Sequence, residues 1–259
     1  MTGYLARRNP TVKLALLFAV SLATFFLFDP VTPAVLYLLA LAAIVIGARP
    51  EPRALAAAHL PLLAFALGIL MVNALSRPGT VLWQAGAARV TVEGLEVGAA
   101  LGARALLIGI LSFGFVVCTD AVALLTSLYQ HARLNERVCF ALVAGYRMLQ
   151  QLGGEWEVIR YAQRVRAPLG RHGQPKAGPA RFGLAAFALL VMMVRRGERV
   201  AQSLEARGLG RGARTVWRPV PLTSHDGWFA VAVLGGVALT IGVSVLAGVA
   251  RGPSALFGG

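Results

Sequence analysis

The sequence predicts an all-α polytopic membrane protein of about five transmembrane helices, with two long basic cytoplasmic helices inserted before the last span. Three observations carry this. Of 259 residues, 57% are hydrophobic and only 14% charged, with a mean hydropathy of +0.69, whereas a soluble domain usually carries roughly 25% charged residues. Five stretches approach or reach the roughly 20 apolar residues that cross a bilayer. The charge is uneven: 25 Lys+Arg stand against 11 Asp+Glu, for a net +14. A pI near 11.4 alone would fit a nucleic-acid binder, but continuous apolar sequence on this scale excludes that class. Two cysteines, Cys118 and Cys139, and four scattered histidines leave no disulfide framework and argue against a metal cluster. No catalytic residue, metal ligand or cofactor is expected.

The apolar stretches are residues 12–28, 31–48, 54–75, 97–118 and 228–250. Three regions follow: a membrane domain of four spans (1–118), a cytoplasmic helical region (119–227), and a last span with its tail (228–259). Span one is short, and Lys13 places its start in the headgroup region. Pro30 and Pro33 around Asp29 make the first pair a tight helical hairpin. Residues 76–96 form a longer connection, with a turn signal at Pro78-Gly79 and a short alternating piece at 90–92. Arg7, Arg8 and Lys13 precede the first span, and Arg49 and Arg53 follow the second. The Asp29 turn has no basic residue, so the N-terminus is expected inside and the C-terminus outside. A signal peptide is the competing reading of the first stretch, but no small-x-small cleavage site follows it and a second span arrives at once.

Residues 133–218 hold 16 Lys+Arg and 5 Asp+Glu, so +11 of the total charge lies here. Two helical patterns, 135–166 and 180–207, flank a Pro/Gly-rich segment at 168–179. In the first, Leu142, Leu149, Leu152, Trp156 and Ile159 form one stripe. In the second, the run 184–194 is too short to span and is followed by Met193, Val200 and Leu204 on one face. The plain reading packs these helices together beneath the membrane, arginines near anionic headgroups. It does not explain why both seams end in an arginine, Arg166 and Arg207, in the last helical turn. There the helix terminus favours a cation and the guanidinium can still fork onto a partner's carboxylate. Gly153, Gly154 and Gly197, each costing about 1 kcal/mol against alanine mid-helix, are expected where the two helices cross closely; simple flexure is the alternative.

Smaller signals complete the reading. Arg104, inside the fourth span, is expected to snorkel toward the outer face near Glu96, a substrate role being the alternative. His59 and Asn73 are expected to hydrogen-bond between helices, and His131 and His172 to be solvated. Trp83, Trp217 and Trp228 fall at membrane edges. Gly94, Gly98 and Gly102 form a small-xxx-small face, with Gly109 and Gly114 beyond it; the spacing names no partner helix.

The run from Arg196 to Gly210 (RGERVAQSLEARGLG) resembles the transmembrane T component of energy-coupling factor (ECF) transporters, the EcfT/CbiQ family. It carries that family's second Ala-Arg-Gly motif at Ala206-Arg207-Gly208. The first motif falls at Val165-Arg166-Ala167, where only the arginine is kept. The opening Asn9 to Leu14 and the stretch 134–157 are also similar to the family. The resemblance implies a non-catalytic scaffold of an ABC-type importer in a bacterial or archaeal cytoplasmic membrane. It would bind two P-loop ATPase subunits, through the two arginine motifs, and one small membrane-embedded substrate-binding subunit, for uptake of a vitamin or metal micronutrient. The chain itself has no G-x-x-x-x-G-K-[ST], so ATP would be hydrolysed on the partners. The alternative from another class is a membrane enzyme acting on anionic lipid or prenyl phosphate through its basic face. That chemistry needs acidic metal ligands or a base, and the chain shows no Asp-rich motif.

Overall fold

A computed structural model describes residues 3–27, 29–85, 88–167, 178–209, 216 and 218–248. Within it the chain forms two compact units, one of residues 1–120 with 221–259 and one of residues 121–220.

The first unit contains the apolar helices α1 (Pro10–Phe25), α2 (Val31–Ala48), α3 (Pro52–Ser76), α4 (Val92–Val117) and α8 (Ser224–Leu246). Of these, α2, α3, α4 and α8 are long and apolar enough to cross a membrane, and α1 is a shorter apolar helix of 16 residues. The chain is an all-α polytopic membrane protein, its expected spans offset by a few residues. Local chemistry sets the starts. Asn9 accepts from the Thr11 N–H at 2.9 Å ahead of Pro10, Asp29 accepts from the Thr32 N–H at 2.7 Å, and Pro52 opens α3. Thr91 accepts from the Gly94 N–H at 3.2 Å, and Thr223 with Asp226 forms a capping box on α8. The first helix ends early because the chain turns at Phe25, the Leu27 N–H reaching back to the Thr24 carbonyl.

Connection 76–96 is more ordered than its sequence indicates. Strands β1 (Val81–Ala85) and β2 (Ala88–Thr91) pair antiparallel, Trp83 opposite Val90 and Gln84 opposite Arg89, with an irregularity between Val81 and Trp83. The hairpin is tied at its base by Thr91 Oγ1 donating to the Arg77 carbonyl at 3.0 Å and by Glu93 accepting from the Thr80 N–H at 2.8 Å.

The core of this unit is Val20, Leu36, Leu107 and Val237, one residue each from α1, α2, α4 and α8. The small-residue face of α4 has a definite partner, α3. A Cβ added at Gly98 would stand 3.0 Å from Leu70 Cα, and one at Gly102 would stand 3.1 Å from the Ala66 carbonyl oxygen. Only glycine lets these backbones approach so closely.

Several sequence expectations change here. Lys13 is enclosed by the protein: it is 9% exposed, and its ammonium donates to the Cys118 carbonyl at 2.6 Å, satisfying the end of α4. Arg104 is equally buried and donates to the Leu27 carbonyl, with the Asp29 carboxylate as the opposing charge nearby. It braces the α1–α2 turn rather than snorkelling free, because a guanidinium within a span needs acceptors. Asn73 bonds its own helix, Nδ2 donating to the Ile69 carbonyl at 2.9 Å. His59 does bond between helices, Nε2 to Tyr37 Oη at 2.9 Å. Trp83 and Trp228 are exposed.

The second unit holds α5 (Ala121–His131), α6 (Glu136–Val165) and α7 (Pro179–Ala206). The latter two match the expected pair to within a residue at each end, α6 starting where Asn135 accepts from the Arg137 N–H at 2.9 Å. Helix α5 is additional; its 11 residues lie just past an apolar span, where no change of periodicity announces a new helix. It packs on α6 through Cys139, whose thiol donates to the Leu125 carbonyl at 3.4 Å. Burial pushes that thiol up from its ordinary range, which makes it a packing residue rather than a nucleophile. His131 is not simply solvated, its Nε2 lying 2.9 Å from the Val220 carbonyl. His172, Trp217 and residues 168–177 of the breaker segment lie outside the described residues.

Candidate functional site

The two expected docking motifs lie on the second unit, each where a long helix stops. At 1.5 Å per residue, the 30 residues of α6 and 28 of α7 make rods of about 45 and 42 Å. Such lengths suit displacement carried along a helix axis.

Arg207 is the C-cap of α7. Gly208 follows with φ +78°, its N–H bonded to the Glu205 carbonyl at 2.8 Å, and Leu209 bonds back to the Leu204 carbonyl at 3.0 Å. That pair of bonds is a Schellman stop, which needs a left-handed residue one past the cap. The Ala206-Arg207-Gly208 order thus has a physical cause: alanine holds the last turn, glycine turns the chain, and the arginine between them is left exposed. Arg166 occupies the equivalent cap position on α6 and is likewise exposed. Here Ala167 bonds to the Arg164 carbonyl at 3.1 Å, and no left-handed residue follows at position 167, since a side chain disfavours that region. Val165 beside it is 87% exposed. Altering the first motif changes how the helix ends while keeping the arginine at the cap.

Helices α6 and α7 pair in opposite chain directions. The Gln163 amide bridges the Arg181 carbonyl and the Ala185 N–H, each at 3.1 Å, while Glu155, eight residues earlier, meets Arg196 at 2.8 Å. Trp156 lies edge-on to Phe182 with ring centroids 5.3 Å apart. The ends bearing Arg166 and Arg207 therefore point away from each other, separated by up to roughly 30 Å when the two arms are added at 1.5 Å per residue.

Gly153, Gly154 and Gly197 do not mark a tight crossing within the chain. A Cβ at any of the three would meet nothing within 4 Å. The contact is carried by long side chains, Trp156, Glu155, Arg196 and Gln163, which hold the axes apart. Of the first stripe, Leu152, Trp156 and Ile159 are partly covered while Leu142 and Leu149 are exposed; Met193, Val200 and Leu204 of the second are partly covered. The Glu155–Arg196 contact, which sequence periodicity did not single out, closes one side of an open groove of about 370 Å³ lined by Met192, Arg199, Val200 and Ser203 as well. A carboxylate and an arginine 41 positions apart give no local signal of pairing. Among the described residues, no three His, Cys, Asp or Glu side chains come together as metal ligands.

Compared with known proteins, residues 2–215 match the family model described as CbiQ, cobalt transport protein. No curated protein matches the chain.

Proposed function

We propose, because the chain belongs to the CbiQ cobalt transport protein family, that it is the membrane-embedded energy-coupling subunit of an ECF-type importer. In this reading the second unit docks two P-loop ATPases, and the first unit holds a small substrate-binding membrane subunit. Its cargo is a vitamin or a metal such as cobalt, recognised by that partner. The complex sits in a bacterial or archaeal cytoplasmic membrane, the N-terminus and the second unit inside.

The observation that supports this best is the pair of helix stops. Two exposed arginines cap two long basic helices that run in opposite directions, so one helix pair offers two similar cationic tips facing apart. A scaffold for two like ATPases needs that arrangement, whereas a phosphate-processing site would need its basic groups to converge. A guanidinium can fork onto a carboxylate through two parallel bonds, and a charged pair buried at an interface fixes register as well as affinity.

Reading the function requires a reconstituted complex. Co-expression with candidate ATPase and membrane partners should yield an assembly with two ATPase chains per copy of this protein and ATP-dependent uptake into vesicles. An isolated chain that turns over a lipid phosphate in the presence of a divalent metal, with no ATPase bound, would contradict the scaffold.

A further inference from the structure

Helices α3 and α4 are joined by the hairpin β1–β2, and their lengths set its depth. At 1.5 Å per residue, the 25 residues of α3 and 26 of α4 make rods of about 37 and 39 Å. Both are long and apolar enough to cross a membrane. They exceed the roughly 30 Å hydrocarbon core of a bilayer but not the roughly 40–45 Å that includes its headgroups. The hairpin between their ends therefore lies in the headgroup layer of one leaflet. Its backbone gives the same limit from the core side. Strand β2 packs on α3 and α4, which leaves β1 as the outer strand of a two-stranded sheet. An open strand edge is not tolerated in hydrocarbon, where its N–H and C=O groups find no partners; among headgroups, water and phosphate oxygens supply them.

Side chains give the limit from the water side. The irregularity between Val81 and Trp83 interrupts strict alternation, and Val81, Leu82 and Trp83 are exposed one after another. In water such a strand would be an apolar edge open to pairing with another chain. Met71, Val72 and Leu75, exposed on the last turns of α3, bring the apolar surface of a membrane-crossing helix up to the hairpin, and β1 continues it. Trp83 stands opposite Val90 and Gln84 opposite Arg89, so an apolar pair and a polar pair occupy opposite faces. Gln84 and Arg89 are exposed. An amphipathic element at headgroup depth, with an indole on its apolar face, is complementary to the boundary between acyl chains and headgroups.

We propose that the hairpin β1–β2 is an interfacial anchor whose partner is the lipid leaflet itself. Leu82 and Trp83 reach the acyl boundary, while Gln84 and Arg89 face headgroups and water. The base of the hairpin is tied by Thr91 donating to the Arg77 carbonyl and by Glu93 accepting from the Thr80 N–H, and β2 runs directly into α4. Anchoring the hairpin thus fixes the depth of the α3–α4 pair. This rests on the chain crossing a membrane and not on the docking of ATPases.

Tryptophan fluorescence of the full chain in phosphatidylcholine vesicles tests the anchor, the Trp83 contribution being the part lost in Trp83→Phe. Lipids brominated high on the acyl chain should quench that part several-fold more than lipids brominated near the chain end, and aqueous iodide should quench it weakly. Iodide quenching as strong as for free tryptophan, or none by either brominated lipid, would overturn the anchor by placing the hairpin in water. Stronger quenching by the deep bromines would overturn it by placing Trp83 in the core. Lipid quenching that vanishes on assembly with partner subunits, or at a high protein-to-lipid ratio, would overturn it by assigning the face to a partner or to a second copy. Should Trp83→Phe fail to fold, spin labels on Leu82→Cys and Arg89→Cys decide, since both native cysteines are buried. Collisions with membrane-dissolved oxygen should exceed those with a water-soluble nickel chelate at the first position and fall below them at the second; equal ratios at the two would overturn the anchor.

Discussion

Arg196 Nη1 lies 2.8 Å from Glu155 Oε1, tying the middle of α7 to the middle of α6. Both side chains are about one third exposed, 34% and 31%, so water competes for the contact. Pairs of this kind are worth roughly 0.2–1 kcal/mol. A double-mutant cycle on Glu155→Gln and Arg196→Gln should return a coupling energy in that range, read from thermal or denaturant unfolding. A coupling of several kcal/mol would mean that the pair is desolvated, and the open groove beside it would then be closed in the protein.

Glycines of the two units should respond oppositely to added side chains. Gly98→Leu forces a branched chain against the Leu70 backbone, so overpacking of about 1–3 kcal/mol is expected, seen as a lowered thermal midpoint in detergent. Gly153→Ala meets open space and should raise stability by roughly 0.4–1 kcal/mol through helix propensity and a less flexible unfolded chain. Destabilisation by Gly153→Ala would restore a tight crossing at that position.

At Gly208, alanine must adopt a left-handed φ at a cost of about 1–2 kcal/mol. The stop should loosen, and hydrogen exchange at the Gly208 and Leu209 amides should quicken while that of mid-helix amides in α7 stays unchanged. Protection unaltered in Gly208→Ala would show that the Schellman bonds do not hold this end.

Asp226 joins the two ends of the membrane unit in sequence, accepting from the Asn9 N–H at 3.0 Å and from Thr223 at 2.9 and 2.7 Å. Asp226→Ala removes the acceptor from donors that are partly buried, a loss of roughly 1–3 kcal/mol. A lowered thermal midpoint in detergent is expected; a midpoint equal to that of wild type would mean that water replaces the carboxylate fully.

Apolar run length and proline placement made most of the helices legible, since α2 was found at its expected bounds and α6 and α7 within a residue of theirs. Those signals are local. The positions of Arg166 and Arg207 at the ends of α6 and α7 were legible for the same reason, because a helix stop is written in three consecutive residues. Pairings across the fold were not. Lys13 with Cys118, Arg104 with Leu27, and Glu155 with Arg196 join positions 105, 77 and 41 residues apart, and nothing in the flanking sequence of one member names the other. Hairpin β1–β2 was half visible as an alternating piece at 90–92, but its first strand carries no strict alternation. Small-residue spacing on α4 announced a close approach without its partner, and the same logic failed for α6 and α7, where glycine spacing accompanies contacts made by long side chains.

The central claim is that Arg166 and Arg207 each dock one ATPase. Truncating one side of a charged hydrogen bond buried at an interface costs roughly 2–5 kcal/mol. Arg207→Ala alone should weaken ATPase association and coupled uptake, with Arg166→Ala doing the same on the other arm. The direct measurement is the number of ATPase chains retained per copy of the protein, with ATP-driven uptake in vesicles, for the Arg166→Ala/Arg207→Ala double variant. Its comparison is the Arg211→Ala/Arg214→Ala double variant, at nearby basic positions outside the described residues. We predict loss of both ATPases and of uptake in the first variant and near wild-type behaviour in the second; equal retention and equal uptake in the two would contradict the account.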